Sequence, residues 1–166
     1  MSDQSPIIYI VDDDPAVRDS VGFLVSSLGY RFVTCASGQQ LLERLDDLRP
    51  SCIVLDVRLP GVSGLELQRE LQKRSSPARI IFITGHGDVP KAVRAMRLGA
   101  IDFLEKPFDD QVLLDCVSEA LAASAADLDA RRKQALIERK LRGLTERERE
   151  VMKLIIAGKS SKVIAA

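Results

Sequence analysis

Short apolar runs alternate with helix-period stretches along most of the chain. Ile7 to Val11 is apolar throughout and rich in Ile, the pattern of a strand covered on both faces. It ends in Asp12-Asp13-Asp14. Pro15 suits the first turn of a helix. Val17, Val21, Leu24, Val25 and Leu28 then follow at helical spacing, and Gly29 marks a stop.

The unit recurs four more times. Arg31 to Cys35 reads as a second strand, followed by a helix carrying Leu41, Leu42, Leu45 and Leu48. Cys52 to Leu55 is a third strand ending at Asp56, and Pro60-Gly61 leads to a helix from about Gly64 to Lys73. Arg79 to Thr84 is the fourth, then a Gly-rich loop and a helix with Val89, Ala92, Val93 and Met96. Ile101 to Glu105 is the fifth, ending in Lys106-Pro107. Asp109 suits the N-cap of a last helix striped by Val112, Leu113, Cys116, Val117, Ala120 and Leu121.

Five strand–helix units predict an α/β fold with a parallel sheet and helices on both faces. Right-handed crossovers make it doubly wound, and the common order for five strands is the flavodoxin-like 2-1-3-4-5. The pattern changes after Ala122. Ala123 to Arg142 lacks Gly and Pro and reads as a helical linker, ended by Gly143. Leu121, Leu128 and Ala135 are spaced seven apart, but Arg132 and Arg139 interrupt the seam, so a solvated linker is expected rather than a coiled coil. Thr145 and Glu148 form a capping box for a helix bearing Val151, Leu154 and Ile155, closed by Gly158. Another helix starts near Ser160 or Ser161. The predicted organisation is thus 1–122, a linker 123–143, and a partial helical domain 144–166.

Charge sharpens this division. The net charge is zero, yet residues 1–130 carry 13 Lys/Arg against 20 Asp/Glu, and residues 131–166 carry 11 against 4. An acidic domain followed by a basic one fits either a nucleic-acid-facing segment or a basic solvated helix. Cys35, Cys52 and Cys116 are scattered without metal-ligand spacing, as expected of reduced thiols in a cytoplasm. No apolar run approaches the roughly 20 residues that span a bilayer, so no membrane partner is expected.

Ligands of such sheets gather at the carboxyl ends of the strands, where strand order reverses. Asp12, Asp13 and Asp14 end the first strand, Asp56 the third, Thr84 the fourth and Lys106 follows the fifth. Singly, each has an ordinary reading: a turn former, a capping hydroxyl, a solvated lysine. Together they converge on one rim. Crowded carboxylates raise one another's pKa unless a cation intervenes, and an all-oxygen set favours a hard ion such as Mg²⁺. Asp56 then suits a nucleophile that forms an acyl phosphate, with Lys106 and Thr84 contacting the transferred oxygens. An alternative is a haloacid-dehalogenase-like phosphatase with Asp12 as nucleophile and Asp14 as acid/base. It leaves Asp56 and Lys106-Pro107 unexplained. An interaction module that has lost phosphorylation is a further alternative, against the presence of the whole acceptor set.

Val11-Asp12-Asp13, Leu55-Asp56 with Leu59-Pro60-Gly61, Ile83-Thr84-Gly85 and Glu105-Lys106-Pro107-Phe108 together resemble the receiver domain of bacterial two-component response regulators. The resemblance runs from residue 6 to about residue 122. It implies an acid pocket of Asp12 and Asp13, with Asp13 a direct Mg²⁺ ligand beside Asp56 and Asp12 acting through water. It also implies a ligand from the backbone carbonyl of Arg58 and a cis Lys106–Pro107 bond. Family behaviour implies a switch in which Thr84 moves towards the phosphoryl group and Phe103 swings into the vacated space, with Pro107 beside them. Phe103 lacks the hydroxyl of the frequent Tyr, so its inward state depends on apolar burial.

The loop Thr84-Gly85-His86-Gly87-Asp88-Val89-Pro90 resembles the FixJ-like (NarL/FixJ) branch, which pairs this receiver with a LuxR-type helix-turn-helix. His86, the single histidine, has no expected catalytic or metal role. Leu144 to Val151 and Ala157 to Ala165 resemble the first half of that DNA-binding motif. A recognition helix is needed for sequence readout, so the motif is expected to be incomplete here and specific DNA binding to belong to a full-length form. The resemblance implies a sensor histidine kinase as donor and a homodimer on phosphorylation, through the face around Val89 to Leu121. It implies a switch with self-catalysed phosphoryl transfer and slow autodephosphorylation, not a turnover enzyme.

Overall fold

A computed structural model describes residues 5–45 and 50–158. Its elements alternate as β1 (Ile7–Val11), α1 (Pro15–Ser27), β2 (Arg31–Cys35), α2 (Gly38–Arg44), β3 (Cys52–Asp56), α3 (Gly64–Lys73), β4 (Arg79–Thr84), α4 (Val89–Arg97), β5 (Asp102–Glu105), α5 (Asp110–Arg142) and α6 (Glu146–Ile156). The five strands form one parallel sheet in the order β2-β1-β3-β4-β5. The expected doubly wound topology is the one found.

The unbroken apolar strands are explained by cover on both faces. Alternate residues point to opposite sides. Tyr9, Val11, Ile53, Leu55 and Phe82 pack with Leu41 of α2, Leu67 and Leu71 of α3 and Ala95 of α4. Ile8, Ile10, Val54, Ile81 and Ile83 pack on the other side with Val21 and Val25 of α1 and Leu113 and Val117 of α5. A fully buried aliphatic side chain stabilises by about 1.5–3 kcal/mol, so these two layers hold the strand ends in fixed register.

Local chemistry sets the helix starts. Asp14 caps α1 by accepting the Ala16 N–H, and Asp88 caps α4 by accepting that of Lys91. Ser63 and Glu66 form a capping box at α3, and the expected Thr145–Glu148 box opens α6. The Asp109 carboxylate accepts the N–H groups of Gln111 and Val112 at the start of α5. Three boundaries are drawn more finely by the structure. β5 begins at Asp102, one residue later than the apolar run, although the Ile101 N–H already bonds to Ile80 O of β4. Leu45, the C-cap of α2, is half-buried and packs with Leu41 and Leu42 against the core, as the stripe predicts. Helix α5 is a single element of 33 residues that runs past Ala122 through the expected helical linker. The expected Leu48 position and the helix near Ser160 lie outside the described residues.

The chain divides into two compact units, one ending at Asp127 and one beginning at Leu128. In the second, Leu144, Val151 and Met152 are half-buried, and Ile155 and Ile156 are exposed.

Candidate functional site

The carboxyl ends of β1, β3 and β4 and the segment after β5 meet on one rim because their register is fixed by the ladder. Val11 pairs with Leu55, Asp56 with Ile83, and Thr84 with Glu105. The residues that follow each strand are therefore neighbours in space although up to 94 positions apart in sequence.

Carboxylate oxygens of Asp12, Asp13 and Asp56 all lie within 4.8 Å of one another. Asp12 is fully buried, Asp56 almost so, and Asp13 is exposed. The Lys106 ammonium donates to Asp12 Oδ2 at 2.7 Å and to Asp56 Oδ2 at 3.2 Å. Backbone donors complete the set: Asp14 N–H to Asp12 Oδ1 at 2.8 Å, and Arg58 N–H to Asp56 Oδ1 at 2.9 Å. Burial pushes the Asp12 carboxyl above its ordinary range, assisted by the charge of Asp56 and opposed by the bonds from Lys106 and Asp14. Burial works to lower the Lys106 pKa, but its bond to Asp12 and the charges of Asp56 and Asp12 outweigh that, and the net shift is upward.

An exposed carboxylate beside two buried ones, all oxygen donors, suits a hard divalent cation. Asp14 does not join this cluster among the described residues; its carboxylate is engaged as the cap of α1.

The remaining predicted residues surround the cluster. Thr84 is buried, and its hydroxyl donates to His86 O at 2.9 Å and accepts the His86 N–H at 3.3 Å. Phe103 is half-buried, packed against the α2–α4 side of the core, with its ring centroid 6.0 Å from that of Phe82. The Lys106–Pro107 bond is cis.

The sequence pattern did not reveal Arg18. Its guanidinium donates to Asp12 O at 2.7 Å and Asp13 O at 3.1 Å, fixing the backbone of the acidic turn. Its place one turn into α1, five and six residues after those aspartates, is the only signal, and exposed helix arginines are common. Gly64 was also overlooked as part of the site. A Cβ there would lie 2.5 Å from Asp56 O, so only glycine lets α3 start against the end of β3.

A doubly wound parallel sheet of this order, with an acidic cluster and a lysine at its switch point, defines a receiver domain. The family model described as "Response regulator receiver domain" matches residues 8–118, and "Bacterial regulatory proteins, luxR family" matches residues 142–166. The chain belongs to the response regulators of two-component systems, as a transcriptional regulator that joins a receiver to a LuxR-type DNA-binding region.

It is 43% identical over 158 residues to "Transcriptional regulatory protein FixJ" of Azorhizobium caulinodans, covering 95% of this chain and 75% of that protein. "Nodulation protein W" of Bradyrhizobium diazoefficiens is 44% identical over 160 residues, covering 96% and 70%. Among solved structures, the response regulator StyR superposes with a TM-score of 0.86 at 42% identity, covering 97% of this chain and 81% of that one. Full-length FixJ from B. japonicum gives 0.69 at 42% identity, covering 96% and 79%.

Proposed function

We propose that Asp56 accepts a phosphoryl group from the phosphohistidine of a sensor kinase, and that the receiver then changes conformation to control the LuxR-type region. The observation that carries this reading is the meeting of the Asp12, Asp13 and Asp56 carboxylates within 4.8 Å beside the Lys106 ammonium.

An Asp56 carboxylate oxygen attacks phosphorus; the O–P bond forms as the N–P bond breaks, and the imidazole nitrogen leaves with the electron pair. Asp13, Asp56 and the Arg58 carbonyl are the ligands we assign to Mg²⁺, with Asp12 acting through water. When bound, the ion neutralises charge on the transferring group. Lys106 is already at Asp56 Oδ2 and supplies a fixed positive charge to a phosphoryl oxygen. The Thr84 hydroxyl leaves His86 to donate to another, and Phe103 turns into the space that Thr84 vacates. Pro107 holds the cis turn that follows Lys106.

In this reading residues 1–122 are the receiver, 123–143 the helical linker and 144–166 the first part of the DNA-binding region. The protein is a cytoplasmic switch that dimerises when phosphorylated and dephosphorylates itself slowly. No helix among the described residues is long and apolar enough to cross a membrane. The phosphatase alternative loses its acid/base, because Asp14 is committed to capping α1.

The test is acetyl-phosphate treatment with Mg²⁺, borohydride trapping and peptide mass spectrometry. The label is expected on Asp56 and lost in Asp56→Asn. Label on Asp12, or undiminished labelling of the Asn protein, overturns the reading.

A further inference from the structure

The loop joining β4 to α4 is held at two points. At its start the Thr84 hydroxyl is bracketed by the backbone of His86, donating to the carbonyl and accepting the N–H. One residue further on, the Gly87 N–H donates to Glu105 Oε1 at 2.8 Å. Glu105 pairs with Thr84 across the β4–β5 ladder and directly precedes Lys106. The Lys106 N–H in turn donates to Thr84 O at 2.7 Å. Beyond the loop, Asp88 caps α4 and pairs with Lys91 at 2.9 Å. The same β5 end therefore carries both the lysine that enters the acidic cluster and the carboxylate that grips the loop.

The grip has a steric side. A Cβ on Gly87 would lie 3.0–3.2 Å from the Glu105 carboxyl atoms, so a side chain there would push the carboxylate away by a few tenths of an ångström. Helix α4 buries only Ala95, whose carbonyl accepts the Gln68 side-chain amide at 3.0 Å near the far end of the helix, so the Gly87 contact bears on its loop end.

We infer that Glu105 is a positioning residue for the switch: its carboxylate on the Gly87 N–H holds the His86 carbonyl where it retains the Thr84 hydroxyl, and so favours the unphosphorylated arrangement. This rests on the reading of Asp56 as acceptor. For Thr84 to reach a phosphoryl oxygen it must give up its bond to His86 O. A loop pinned at Gly87 keeps that acceptor in place, and a freed loop lets it go. A contact made in one of two states shifts their equilibrium by its differential energy. The bond is to a charged acceptor but is solvent-exposed, so the effect is modest.

The experiment uses the ¹⁵N-labelled full chain and its Glu105→Leu, Glu105→Gln and Gly87→Ala variants, with far-UV circular dichroism confirming the fold. The first readout is the backbone amide at position 87, its shift and hydrogen exchange, without any phosphoryl analogue. The second is the midpoint of a beryllofluoride titration in Mg²⁺, with Asp56→Asn as the non-responding control. Glu105→Leu is expected to expose that amide and to tighten beryllofluoride binding by about threefold to tenfold, and Gly87→Ala, which only displaces the carboxylate, to do both to a smaller extent. Glu105→Gln keeps an oxygen acceptor and is expected to behave as the parent.

An unchanged or weaker midpoint in Glu105→Leu, with the amide exposed, overturns the inference. So does a Gln variant that matches Leu, which would trace the effect to charge. Absence of any beryllofluoride response in the parent is a different result, and removes the Asp56 reading itself.

Discussion

The Lys106 ammonium lies 2.7 Å from the Asp12 carboxylate and 3.2 Å from that of Asp56, bridging two strand ends that the sequence keeps 44 positions apart. The bridge neutralises part of a crowded negative cluster inside the fold. Asp12 has no exposed surface, so it depends on this contact more than a surface carboxylate would.

Lys106→Met is therefore expected to lower metal-free stability at pH 7 by about 1–3 kcal/mol, the penalty for a buried group deprived of its hydrogen-bond partner. Urea unfolding with and without Mg²⁺ measures it. The deficit should shrink when Mg²⁺ is added. An unchanged urea midpoint in the metal-free variant would show that the bridge contributes nothing.

The sign of the pH effect at Asp12 follows from its raised pKa. Between its unfolded and folded pKa the native state holds more protons than the unfolded chain, so this group's contribution to stability falls as pH rises through that window. Asp12→Asn removes the contribution. Without Mg²⁺ the variant should be more stable than the parent at pH 7, and its advantage should narrow on acidification below the folded pKa. Paired urea titrations across pH 4–7 read this difference directly; a gap that widens on acidification refutes it.

Gly64→Ala places a methyl group against Asp56 O and Val57 Cα. The contact is with backbone, which cannot rotate aside. Destabilisation of about 1–3 kcal/mol is expected, as for overpacked sites. Acetyl-phosphate labelling should also slow, because the end of β3 must shift. Gly85→Ala, with no atom within 4 Å of the added Cβ, is the control for space.

The three cysteines are all buried and free. Burial raises each thiol pKa; for Cys116, burial with its bond to Asp102 and nearby carboxylate charges pushes it up to about 12. Thiolate is the reactive form. A disulfide reagent at pH 8 should find no fast-reacting thiol in the native protein and all three in denaturant. A rapid native reaction at any one of them contradicts this burial.

Much of this fold was legible one residue at a time. Ile7–Val11 and Cys52 to Leu55 are apolar because both faces of a parallel strand are covered, and that pattern survives in the sequence without any knowledge of neighbours. Strand ends and the capping box at Thr145 were readable because each depends on contacts within a few positions, and the rim residues were readable because each closes a strand whose place in the sheet the repeating pattern predicts.

Tertiary structure alone decided the rest. Arg18 on the carbonyls of Asp12 and Asp13, Gly64 beneath Asp56, and Glu105 on the Gly87 N–H are defined by where separate elements meet. The length of α5 was ambiguous too, since residues 110–142 contain no Gly or Pro and helical propensity alone places no break. Local periodicity records which face of an element is buried; the atom that a particular side chain finds there is set only when the sheet has assembled.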